Sequence, residues 1–167
     1  MADPIPGVSV APTADGFVIR VTGRGTVRES RVVKDLAART LREDPKSVVV
    51  LELSGCGYVD STFLGTMMDL HRTAGDPRRF AIAAPPAQRS RLLGLARLDR
   101  LLTGMDEPPA VMGDFVAVPT PEATSREILS HVMECHQRLS EIDCPMSPIF
   151  GRIAEQMRRE LEQQSTG

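Results

Sequence analysis

Residues 48–72 read VVVLELSGCGYVDSTFLGTMMDLHR, and a change of period inside this stretch decides the fold class. Val48, Val49, Val50, Leu51, Glu52 and Leu53 are almost all apolar and half of them are β-branched, as in a strand covered on both faces. Ser54-Gly55-Cys56-Gly57 breaks that run. From Asp60 onward Phe63, Leu64, Met67, Met68 and His71 recur at helical spacing until Gly75-Asp76-Pro77 stops them. A buried strand therefore runs through a tight turn into an amphipathic helix that opens at Asp60-Ser61-Thr62. First-turn amides have no partners inside their helix and the macrodipole favours negative charge, so a phosphate on Ser61 or Thr62 is compatible with the fold.

Outward from this junction the alternation continues. Val8-Ser9-Val10 and Phe17-Val18-Ile19-Arg20-Val21 flank Ala14-Asp15-Gly16, which is a hairpin signal. Gly23-Arg24-Gly25 reads as a turn, and Ser30 as the cap of a helix carrying Val32, Val33, Leu36, Ala37 and Leu41 and closed by Asp44-Pro45. Phe80-Ala81-Ile82-Ala83-Ala84 reads as a second buried strand stopped by Pro85-Pro86. Residues 88–102 supply a third, leucine-rich helical face broken at Gly94, residues 103–114 read as a loop, and Phe115-Val116-Ala117-Val118 as a last strand. Strands alternating with helices predict an α/β layer structure with right-handed crossovers.

Beyond Pro119 the character changes. Thr120-Pro121-Glu122 is a helix start, with Thr124-x-x-Glu127 as an alternative capping box one turn later. Ile128, Val132, Cys135, Leu139, Ile142 and Met146 follow at alternating spacings of four and three, a heptad seam that ends at Pro145. Ser147-Pro148 opens a further helix with Ile149, Ile153, Met157 and Leu161 on one side. The expected organisation is a domain over residues 1–119 and a helical extension over 120–164, packed on that domain or on a second copy of the chain.

Composition narrows the function. With 41% hydrophobic residues in 167 there is enough for a core, whereas 4% aromatic residues and no Trp leave little for nucleic-acid stacking. The net charge of −2 and the absence of a basic block argue against direct nucleic-acid binding. No stretch approaches the roughly 20 apolar residues of a membrane span, and the first residues lack the features of a signal peptide, so a cytoplasmic protein is expected. Cys56, Cys135 and Cys144 are odd in number and fit reduced thiols.

The stretch VVVLELSGCGYVDSTFLG closely resembles the strand-turn-helix junction of STAS domains of the anti-sigma factor antagonist type, whose Asp-Ser-Ser/Thr-Gly-Leu-Gly-like motif is here Asp60-Ser61-Thr62-Phe63-Leu64-Gly65. Gly94-Leu95-Ala96-Arg97-Leu98-Asp99-Arg100-Leu101-Leu102 is similar to the family's Gly-Leu-Asp-Arg-Leu segment, and the resemblance spans about residues 8–130. It implies a mixed sheet of four to five strands with helices on one face. It further implies a non-catalytic switch that binds an anti-sigma factor doubling as a serine kinase and releases a sigma factor, until the kinase phosphorylates the motif's first Ser; a phosphatase would reverse this. By position Ser61 is the phosphoacceptor, and Asp60, Thr62, Phe63 and Gly65 belong to the partner surface. Phe63 stands where the family has Gly, and the family's acidic turn is here Gly23-Arg24-Gly25-Thr26, which puts Arg24 and Thr26 at the same surface with altered charge.

Other chemistry finds no support in the sequence. There is no phosphate loop and no nucleophile–base pair at helical spacing, so neither an enzyme nor a cofactor is expected. His131, Cys135 and His136 lack the paired short spacings of a structural zinc site, and Cys135 fits as a small apolar seam residue. Cys56 reads as an unreactive turn thiol and His71 as a half-buried, hydrogen-bonded histidine. The rival reading is a STAS-type subunit that regulates a transporter or carries a lipid or nucleotide, marked by an apolar pocket involving Met67, Met68 and the tail.

Overall fold

The chain begins with the expected hairpin: β1 (Gly7–Pro12) runs antiparallel to β2 (Gly16–Gly25), with Val8 opposite Val21 and Pro12 opposite Phe17. The computed structural model describes residues 5–166. Helix α1 (Val27–Glu43) leads to β3 (Val48–Glu52), β4 (Cys56–Val59) and α2 (Ser61–Ala74). Then come β5 (Phe80–Ala83), α3 (Pro86–Leu93), two 3₁₀ turns (Gly94–Ala96 and Leu98–Arg100), β6 (Thr103–Met105) and β7 (Val116–Val118). Two helices close the chain, α4 (Ser125–Ser140) and α5 (Ser147–Ser165).

The strands form one mixed sheet in the order β6-β5-β3-β2-β1-β7, with β4 paired to the end of β2. Pairings are parallel from β2 to β6 and antiparallel where β1 meets β2 and β7. Because side chains alternate along each strand, Ile19, Val21, Val49, Leu51, Phe80 and Ile82 face the helices and build the main core with Val33, Leu64, Met67 and Leu93. Val18, Val50 and Ala83 form a smaller cluster on the other face, under Phe115 from the segment that leads into β7. The Arg20 guanidinium lies 3.6 Å from the centre of the Phe115 ring and also donates to the buried Glu52 carboxylate at 2.8 Å.

Among the described residues seven strands replace the expected four to five. Two were invisible to periodicity: β4 carries a glycine and exists by pairing with a β2 that continues through Arg24 to Gly25, and the three-residue β6 rests on β5. Gly23-Arg24-Gly25 is therefore strand rather than turn. Helix α1 starts four residues before the expected Ser30 cap would place it, because Thr26 and Glu29 form a capping box in which the Glu29 carboxylate accepts from the Thr26 amide at 3.0 Å. Ser30 is buried in the first turn instead. At α4 the alternative box at Thr124 and Glu127 is the one formed.

The seam of α4 is rotated from the expected one. His131, Cys135, His136 and Leu139 are its buried residues, whereas Ile128 is 36% exposed. Ile142 and Cys144 are buried in the bend that follows, and Phe150 and Ala154 of α5 pack back on α4. The α4–α5 hairpin thus forms a third layer, laid over α2 on the side away from the sheet.

Candidate functional site at the start of α2

Asp60 is the N-cap of α2, with one carboxylate oxygen accepting from the Phe63 amide at 2.8 Å. Its other oxygen accepts from the Val27 amide at 3.0 Å, so one side chain ties the N-termini of α1 and α2 together. The Asp60 amide in turn donates to the Gly25 carbonyl at 2.9 Å. Burial pushes the Asp60 carboxyl above its ordinary pKa, despite the two amide donors. The role expected for Asp60 at a partner surface is thus joined by an architectural one.

Ser61, the first residue of α2, is half-buried, and its hydroxyl lies 2.8 Å from Nε2 of His136 on α4. Nδ1 of His136 lies 2.7 Å from the Val132 carbonyl. A carbonyl only accepts, so Nδ1 carries the proton, Nε2 is the acceptor, and the Ser61 hydroxyl donates to it. The His136 ring also meets Phe150 of α5 edge-on, with centroids 6.0 Å apart.

Gly65 sits one turn further along, and here the expected close approach is realised by α4. A Cβ on residue 65 would lie 2.4 Å from the Cys135 carbonyl oxygen and 2.6 Å from the Cys135 Cβ. Thr66 and Cys135 touch through Oγ1 and Sγ at 3.3 Å, and burial pushes the Cys135 thiol up to about 11. On the flank of the contact His131 bonds Ser30 of α1 at 2.8 Å; Ser30 donates to the Val27 carbonyl, so the imidazole Nε2–H is the donor. Charged pairs ring this contact: Lys34 with Glu134 at 3.0 Å, Arg138 with Asp69 at 3.1 Å, and Arg72 with Glu141 at 2.5 Å.

Three residues expected at a partner surface lie elsewhere. Phe63 is fully buried, with its ring against Gly25 and Val59, because an apolar group at the third position of α2 points into the core. Thr62 is buried, and Gly65 is covered by α4. Arg24 is exposed, its guanidinium 4.5 Å above the Tyr58 ring, and Thr26 is half-buried at the N-cap of α1. His71 departs from expectation too: it is half-buried, and its Nδ1 has no hydrogen-bond partner among the described residues. Cys56 is fully buried in β4 and burial raises its pKa.

Sequence reasoning considered His131 and His136 only as metal ligands, which it rejected, and missed their bonds to Ser30 and Ser61. The available signal was Gly65 inside α2 together with the small Cys135 on the seam, since two small residues allow two helices to approach closely.

The mixed sheet thus carries its helices on one face, with Ser61 at the start of one of them. Residues 8–103 match the family model described as Mlab, STAS domain, and the chain belongs to the STAS domain family. Among solved structures the chain is similar to the anti-sigma factor antagonist SpoIIAA in its unphosphorylated form, with a TM-score of 0.49 and 14% identity over 61% of this chain and 90% of that one. No curated protein matches in sequence. Among the described residues no helix is long and apolar enough to cross a membrane.

Proposed function

We propose that this STAS-domain protein is a phosphorylation-controlled anti-sigma factor antagonist: it binds an anti-sigma factor that is also a serine kinase, frees a sigma factor, and loses its partner when Ser61 is phosphorylated. The observation that supports this reading is the position of Ser61 at the first residue of α2, beside an Asp60 whose oxygens are already committed to the Phe63 and Val27 amides. The cap leaves the Ser61 and Thr62 amides as first-turn donors, so the helix start tolerates a phosphate. The partner's surface would not. A group of about −1.5 to −2 charges brings its hydration into the interface centre, and an unpaired buried charge costs about 2–5 kcal/mol, or roughly thirty- to several-thousand-fold in affinity. The kinase supplies the chemistry, and a phosphatase would restore binding.

Incubating the full chain with serine kinases from its own cell and ATP, then mapping phosphate by mass spectrometry, tests the reading. Phosphate at Ser61 is the expected result. A kinase that binds the chain yet leaves Ser61 unmodified overturns it.

One observation favours a second reading, a STAS subunit that carries an amphiphile for a transporter. A cleft of about 450 Å³ is lined by the apolar Met68, Leu101 and Ile142 together with Arg97, Arg100, Glu141 and Asp143. Met67, expected there, lies in the core. Lipid retained by the purified protein, identified by mass spectrometry, would select this reading.

A further inference from the structure

The α4–α5 hairpin lies outside the residues that match the STAS family, yet it touches the one serine on which the proposed switch depends. Its contact with α2 brings Cys135 and His136 against Gly65, Thr66 and Ser61, with charged pairs around them, while Leu139, Ile142 and Phe150 join the main apolar core. The hairpin meets the rest of the molecule through helix–helix contacts with α2 and α1 and takes part in no strand pairing, so it can open without breaking the sheet. The direction in which Ser61 Oγ points is filled by the His136 ring, and Nε2 presents a lone pair to it.

Resting on the reading of Ser61 as phosphoacceptor, we propose that the α4–α5 hairpin is a cis-acting occupant of the α2 N-terminal face, and that a phosphate on Ser61 expels it. The modified Oγ has no proton to donate and carries a dianion into the space that the His136 ring fills, under a helix already in contact with Gly65. A kinase or partner reaches Ser61 only in the open population, and the phosphate then holds that population open. The hairpin thereby adds a threshold: any partner for α2 must outbind the protein's own helix.

Cys135 reports on the hairpin without any partner being known. It is 2% exposed beneath the contact, whereas the fully buried Cys56 lies in β4 and responds only to opening of the domain itself. The full chain is produced with phosphoserine installed at position 61 by genetic code expansion, alongside Ser61→Glu, Ser61→Ala and the unmodified protein. Alkylation by iodoacetamide is followed at each cysteine by peptide mass spectrometry. Phosphoserine, and Ser61→Glu in the same direction, should speed alkylation of Cys135 by more than about tenfold while leaving Cys56 unchanged. Ser61→Ala should stay near the unmodified protein. Unchanged protection of Cys135 in the phosphorylated chain overturns the proposal, since the phosphate would then be accommodated beneath α4. Equal acceleration at Cys56 overturns it as well, because the phosphate would have loosened the whole domain. Neither result depends on whether a kinase modifies Ser61, so failure here is distinct from failure of the proposed function.

Discussion

Gly65→Ala separates the stability of α2 from the docking of α4. The added Cβ meets backbone, with the Cys135 carbonyl oxygen at 2.4 Å and its carbonyl carbon at 2.7 Å. Backbone cannot rotate aside, so α4 must back away by about 1 Å to reach ordinary contact. Overpacking of this kind costs about 1–3 kcal/mol. Alanine also improves the helix by about 1 kcal/mol, but α2 is helical whether or not α4 is docked, so that gain does not offset the docking cost. The opening equilibrium of the hairpin should therefore rise by about five- to 150-fold. Hydrogen exchange read by mass spectrometry on the full chain would show faster exchange in peptides covering 131–142, with peptides of β3 and β5 unchanged or slower. Unaltered exchange in 131–142 would refute the reasoning, because it would mean that α4 is not seated on Gly65 in solution.

Two further expectations follow from the same site. Asp60→Ala removes acceptors from the Phe63 and Val27 amides together, which should cost about 2 kcal/mol and lower Tm by about 4–8 °C; Asp60→Asn should fall between, and a thermal melt with no shift for Asp60→Ala would show that solvent replaces both bonds. His131 is held down to about 4 by burial and by Lys34 and Arg31, against the opposing pull of Glu134 and Asp69, compared with its ordinary 6.5. Its contribution to docking is thus complete above pH 6.5 and is lost as pH falls toward about 4, by as much as about 2 kcal/mol at pH 5. Exchange in α4, corrected for its intrinsic pH dependence, should accelerate over that window, and His131→Gln should flatten the response.

The central strands, α2 and α3 were legible because their residues carry a period that burial enforces. Val49 and Leu51 alternate with Val50 on a two-faced sheet, and Phe63, Leu64, Met67 and Leu70 repeat on a helix. What escaped was decided by partners distant in the chain. Strand β4 is an extended segment only because β2 continues far enough to pair with it, and a sequence pass sees a glycine and a tyrosine there. Ser61 was legible as a helix-start hydroxyl, whereas its bond to His136 joins residues 75 positions apart. The Phe63 position shows a different failure: a family resemblance placed it at a surface, while its apolar bulk takes it into the core.

The pairing of β7 with β1 sets an order of assembly. Val8 lies opposite Val118, so the outer edge of the N-terminal hairpin is closed by nearly the last part of the sheet to be synthesised. Contacts so far apart in sequence bear the largest loop-closure cost and form late. Until residues 116–118 arrive, β1 presents unpaired amides and carbonyls to any other extended chain. Once they are in place, the sheet ends in strands of three residues on both sides, β6 and β7, too short to template a neighbour. Loss of the 106–118 connection would therefore show first as self-association of nascent or refolding chains, and only second as lower stability of the finished protein.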